Sequence, residues 1–211
     1  MPKQVDYESR RRRIAEAVCL LADEQGPEGV SMRDVAARAQ VSLGAVQRCF
    51  RTKEEMLLFA VDHVGERVTE RVRARLGASP AQSAATALGQ AADEVALLRE
   101  EHRAEARIWL AFVAQAAVSA SLAAPLRSSY AALHDLFVRL VTEAAASAPA
   151  DGDTAPADAE REARMLLALT DGLTSHVLIG HLTAKEAGDV LHAHLSRLWE
   201  RLGVTAPENT A

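Results

Sequence analysis

The chain has 211 residues, 49% of them apolar but only 4% aromatic, so its core must be built from Ala, Leu and Val, a composition that favours helices. The formal charge of −5 argues against a nucleic-acid binder, yet residues 1–53 carry ten Lys and Arg against seven Asp and Glu, a net of +3 that leaves −8 for the remainder. Two cysteines without C-x-x-C spacing exclude a disulfide framework and an ordinary thiolate zinc site; the start is polar and arginine-rich without a signal core, and no apolar run approaches the roughly 18 residues of a membrane span, so a cytoplasmic chain with no membrane partner is expected.

Taken in order, residues 1–8 read as a flexible arm. Arg10 to Arg13 open the first helix, and four consecutive arginines suit either phosphate contact or a solvated helix start. Ile14, Ala17, Val18, Leu21 and Ala22 keep the 3-and-4 spacing of a buried stripe, and Gly26-Pro27 ends the helix. Ser31 with Asp34 is a capping pair that starts a second helix, with Val35 and Ala36 facing inward. The pattern breaks at Gln40-Val41-Ser42. Ser42 is a good N-cap for a third helix, Leu43 to Phe50, whose Val46 and Phe50 point inward. Thr52 with Glu55 caps the next helix. Two short helices, a three-residue turn and a third cap make a helix-turn-helix, with small Ala36 at the crossing and Val46 plugging the angle.

A connecting helix runs from Lys53 to Leu76 on the stripe Leu57, Val61, Val64, Val68, Val72 and Leu76, closed by Gly77. Ser79-Pro80 begins a helix to about Leu98, and Glu100 begins one to about Ser119 whose second half is apolar almost all round. Ala124-Pro125 restarts the chain for a helix to about Ala146. Ser147 to Asp158 reads as a loop. Helices follow from Ala159 to Gly180 and from Ala184 to Leu202; Gly203 ends the last, and residues 204–211 read as a disordered tail. The expected fold is all-α, with nine helices: three in a head (residues 1–53) and six in a body (residues 54–203).

The stretches SMRDVAARAQ and VSLGAVQRCF-RTKEEMLL resemble the helix-turn-helix and following helix of the TetR family of bacterial repressors. The likeness is strong over residues 10–65 and architectural beyond. It implies a regulator that binds a double-stranded DNA operator as a homodimer, most simply a repressor released by a small-molecule effector, whose identity stays open. It also implies that Arg10 to Arg13 lie beside the DNA. Three positions depart from the family pattern. Gln40 stands where glycine is usual, Gln47 where tyrosine is usual, and Cys49 where a phosphate-contacting histidine is usual. If residue 40 is left-handed, Gln costs roughly 1 kcal/mol relative to Gly.

In the groove, Gln47 can read adenine, Arg48 guanine, and Leu43 a thymine methyl. Ser31, Arg33, Ser42, Gly44 and Lys53 are the expected phosphate contacts, Gly44 by allowing the backbone to come close. A ligand pocket is expected among Trp109, Phe112, Gln115, Tyr130, His134, Phe137 and His176, although the aromatic residues fit a plain core equally. Two stripes, Leu166, Leu169, Leu173 and Val177, then Leu191, Leu195, Leu198 and Leu202, suit either a dimer interface implied by the resemblance or packing within the chain. Gly172 and Gly180 allow close approach.

An enzyme is the competing class. The chain has no P-loop, Rossmann glycine pattern or G-x-S-x-G, and no cofactor is expected. His176 and His181 stand five apart, and His192 and His194 two apart, so neither pair shares a helix face as an i, i+4 metal pair does, and no metal is expected. A DNA-binding regulator without an effector, controlled by a protein partner or by abundance, is the third reading.

Overall fold

Ala, Leu and Val at helical spacing fold the chain into nine α-helices among the residues that the structure, a computed structural model, describes: 2–78, 83–147 and 156–204. They are α1 (Pro2–Gly29), α2 (Met32–Arg38), α3 (Leu43–Cys49), α4 (Lys53–Ala78), α5 (Ala84–Val95), α6 (Arg103–Ala116), α7 (Ala120–Ala146), α8 (Pro156–Leu178) and α9 (Ala184–Leu202), with a 3₁₀ turn at Glu100–His102 before α6. The expected all-α, nine-helix plan is what folds. No helix among the described residues is long and apolar enough to cross a membrane.

The caps carry the boundaries. The Ser31, Ser42 and Thr52 hydroxyls accept the N–H groups of Asp34, Ala45 and Glu55 at 3.2, 3.1 and 3.0 Å. Each satisfies an orphaned first-turn donor, an effect of about 1 kcal/mol. Thr183 and Glu186 close a full capping box on α9, and Gly203 ends that helix in the left-handed conformation at φ 65°.

Three boundaries differ from expectation. The arm of residues 1–8 is helical from Pro2, because proline suits a first helical position and Asp6 reaches Arg10 one turn on at 2.7 Å. Helix α7 begins at Ala120, so Pro125 lies inside it; a proline this close to a helix start forfeits a single backbone bond. Helix α5 starts at Ala84, capped by Ser83, and the expected start at Ser79-Pro80 lies outside the described residues. Most of the Ser147 to Asp158 loop, and the tail from Thr205 on, also lie outside them. The break at Gly26-Pro27 is present: Gly26 stands at φ 75°, ψ 159° within α1.

The chain divides into two compact units. Unit 1 holds the residues up to Arg67 with Glu101–Ser129, and unit 2 holds Val68–Glu100 with the residues from Tyr130 on. The expected boundary at residue 53 falls inside unit 1, which holds α4 as far as Arg67 as well as α6. In unit 1, α1 packs on α2, α3 and α6. Ile14, Val18, Val35, Val46, Phe50, Met56 and Phe112 are fully buried there. A bidentate ion pair between Arg107 and Asp23 ties α6 to α1, and another, at 2.8–2.9 Å, ties Arg38 to Glu24.

In unit 2, α5, α8 and α9 pack together around Leu88, Phe137, Leu166, Leu191 and Leu198. The buried Glu94 carboxylate is held by Arg99 at 2.6 Å and by Arg71 and Arg75 at 3.4 Å, the pairing that a buried charge needs. Leu97 adopts φ 50°, a left-handed residue just past α5 where glycine is usual, and it is buried.

Candidate DNA interface

Helix α3 is two turns long and has two unlike faces. Ala45, Val46 and Cys49 are buried. Gln47 and Arg48 are exposed, and Leu43 and Gly44 are half-exposed beside them. Positions 43, 44, 47 and 48 are i, i+1, i+4 and i+5, so one strip of the helix carries every residue assigned to base reading. Ser42 starts that helix, and its exposed hydroxyl already caps it. Gly44 is not demanded by the fold: a Cβ there would meet only the Arg48 guanidinium, at an ordinary 3.7 Å.

The turn before α3 is set by Gln40. Its φ of 54° is left-handed, as the departure from glycine required. The Val41 N–H then reaches back to the Ala36 carbonyl at 2.9 Å, and the Arg13 guanidinium donates to the Ala39 carbonyl at 2.9 Å. The turn is thus braced from α1 as well as from α2.

Not every expected contact is free. Ser31 both accepts the Asp34 N–H and donates to the Asp34 carboxylate at 2.5 Å, so its hydroxyl is occupied. Lys53 donates to the Glu28 carbonyl at 2.6 Å, while Arg33 is exposed. The four arginines of α1 separate. Arg10 pairs with Asp6 and Arg13 with Ala39; the Arg11 guanidinium lies 4.1 Å from the Phe59 ring centre and 5.1 Å from that of Phe50; Arg12 is exposed. Arg11 is a prop between aromatic rings, which four adjacent arginines in a sequence do not reveal. The Cys49 thiol is buried, and desolvation raises its pKa against the pull of Arg10, Arg11 and Arg48. It does not occupy the solvent-facing role of a phosphate-contacting histidine.

The residues expected to line a ligand pocket fall into both units. Trp109, Phe112 and Gln115 belong to unit 1; Tyr130, His134, Phe137 and His176 belong to unit 2. Phe112 and Phe137 are fully buried, and Phe137 is part of the unit 2 core. Tyr130 donates to the Asp171 carboxylate, and His134 is half-buried. His176 is exposed, and its ring meets that of His181.

Of the two readings open for the leucine stripes, dimer interface or packing within the chain, the core favours the second. Leu166, Leu173, Leu191, Leu195, Leu198 and Leu202 are buried in one core cluster of this single chain, with Leu169 and Val177 packed against it. The six leucines are covered within the chain, and Leu169 and Val177 stay partly exposed.

Residues 14–60 match the family described as bacterial regulatory proteins, tetR family, and residues 84–200 match the BetI-type transcriptional repressor C-terminal family. The HTH-type transcriptional regulator PksA of Bacillus subtilis (strain 168) is 35% identical over 182 residues, 85% of this chain and 83% of that protein. A transcriptional regulator from Rhodococcus sp. Rha1 has a similar structure, with a TM-score of 0.78 and 29% identity over 92% of this chain and 98% of that one. A transcriptional regulator from Saccharomonospora viridis, solved in complex with choline, shares the fold at a TM-score of 0.76 and 21% identity, over 90% of this chain and 96% of that one.

Proposed function

The chain belongs to the TetR family of bacterial regulatory proteins, and we propose that it is a repressor that grips a pseudo-palindromic operator as a homodimer and lets go when a small molecule binds its body. DNA binding and transcriptional regulation come with the family. The observation that carries the rest is the two-faced α3, a short, capped helix with Gln47 and Arg48 on its open side. Arg is suited to guanine and Gln to adenine, and a bidentate pair discriminates by about 1–3 kcal/mol. Gly44 supports close backbone approach, since nothing within the chain requires it. Exposed Arg33 and Arg12 and the Ser42 hydroxyl are the phosphate contacts we assign, with Lys53 and Ser31 contributing only if they leave their present partners.

A single α3 reads too few base pairs for useful affinity, and a two-fold dimer doubles the site. With the leucine stripes buried in the core, we assign the dimer contact to the opposite faces of α8 and α9. Met165 and Ala168 on the first, and Val190 and Ala193 on the second, are exposed. By role, residues 1–53 are the head and 54–203 the body. The Saccharomonospora viridis regulator that shares this fold was solved in complex with choline, which supports a small-molecule effector here without identifying it. A ligand shifts the operator equilibrium only through different affinities for the bound and released states.

The test is fluorescence anisotropy on the DNA flanking the chain's own gene across a salt series, with a random duplex as control. Tight binding of one segment by two chains, with a steep salt slope, is expected. Equal weak binding to both duplexes would overturn sequence-specific reading by α3. Operator binding that no small molecule in a broad metabolite screen relieves would instead favour control by a protein partner or by abundance.

A further inference from the structure

Helix α8 ends at Leu178, and the chain turns sharply back. Gly180 takes φ 73°, and the His176 carbonyl accepts the N–H groups of both His181 and Leu182, at 2.9 and 3.2 Å. This is a glycine-mediated helix end. It changes the meaning of a five-residue spacing. On a continuous helix His176 and His181 would point apart; across this turn their ring centres lie 4.9 Å apart with planes inclined at 60°. Both side chains are exposed.

That separation has a chemical reading. With metal–nitrogen bonds of about 2.0–2.1 Å, each imidazole centre sits about 3.2 Å from a bound ion. Ligand–ion–ligand angles between about 90° and about 109° then place two centres about 4.5–5.2 Å apart. The observed spacing falls inside that window. The local field has the right sign, since the C-terminal end of α8 presents carbonyl dipoles that favour a cation. The nearby Glu186 carboxylate is engaged elsewhere, accepting the Thr183 N–H and hydroxyl at 2.8 Å in the cap of α9.

We propose that His176 and His181 form a surface site for one divalent transition-metal ion, the two imidazoles supplying two ligands and water the others. No group of three or more His, Cys, Asp or Glu gathers for a metal among the described residues, so this is a water-completed two-imidazole site. Imidazole ligation favours copper, nickel and zinc over magnesium or calcium. An ion there clamps the end of α8 to the segment leading into α9. The proposal rests on unit 2 alone and is independent of the DNA reading.

The probe is nickel chloride, titrated calorimetrically at pH 7.5 into the untagged full chain. One ion per chain is expected, with affinity falling at least tenfold in His176→Ala and in His181→Ala. His192→Ala, whose ring already lies 3.0 Å from Asp93, is expected to bind as the parent does. Both test residues are exposed, so circular dichroism and the ion-free melting temperature of the variants should match the parent. With one equivalent of copper, electron paramagnetic resonance should show nitrogen ligation that both variants diminish. Absence of nickel binding by the parent, or binding that survives the His176→Ala/His181→Ala double variant, overturns the proposal.

Discussion

Helix α3 and the α8–α9 pair use the same device to opposite ends. In α3 the apolar face (Ala45, Val46, Cys49) is buried, and the residues assigned to base reading stand on the other side. In α8 and α9 the apolar face is long and conspicuous, yet Leu166, Leu191 and Leu198 are sealed inside their own chain. Periodicity states which side of a helix is dry. It does not state what dries it. For α3 the wet side carries distinctive chemistry, a glutamine and an arginine beside a glycine; for α8 and α9 it carries methionine, valine and alanine, which attract no notice in a sequence.

That contrast can be broken first at Leu191. If the stripe is core, Leu191→Ala should cost about 2–5 kcal/mol in denaturant unfolding at every protein concentration. A stable variant that merely dissociates would restore the stripe to the dimer interface. On the α3 side, Arg48→Ala should weaken operator binding by about 1–3 kcal/mol and leave binding to random DNA nearly unchanged, measured by anisotropy on both duplexes. Equal losses on the two would mean that Arg48 contacts phosphate.

A smaller effect is expected in the turn that aims α3. Gln40→Gly should stabilise unit 1 by roughly 1 kcal/mol, seen as a higher melting temperature, because glycine takes φ 54° without strain. Smaller still is the acid response of the half-buried histidines. Desolvation is the main cause lowering the pKa of His63 in unit 1 and of His194 in unit 2. The unfolded chain then binds the proton more readily, so stability is complete above the ordinary histidine pKa and falls as pH drops through it. His63→Gln and His194→Gln should each flatten the decline in denaturation midpoint between about pH 7 and about pH 5. An unchanged slope in both would show that other groups carry it.

The helix-turn-helix was legible because each of its boundaries is written in one residue: Ser31, Ser42 and Thr52 cap, and Gln40 marks the turn. The α9 ends were legible for the same reason, in Thr183, Glu186 and Gly203. What escaped depends on neighbours far along the chain. Arg11 looks like its three companions until Phe50 and Phe59 close around it. Cys49 aligns with a contacting residue but is drawn inward by the packing of α3 on α1 and α2. Pro125 reads as a break, although a helix tolerates proline in its opening turns. His176 and His181 were spaced as if on one helix, and Gly180 turns the chain between them. The Leu97 backbone, left-handed without a glycine to announce it, gave no signal.

The placement of the two thiols gives the molecule a built-in clock. Cys19 and Cys49 are the chain's only cysteines; both are buried, both lie in unit 1, and burial pushes the Cys19 pKa up to about 12. A thiol reagent can therefore reach them only when that unit opens, and unit 2 contributes no background. Pulsed alkylation then times the breathing of the DNA-gripping half alone. A duplex that truly seats α3 should slow the modification of Cys49, which makes the rate of a simple chemical reaction a readout of operator engagement in the unlabelled, unmutated protein.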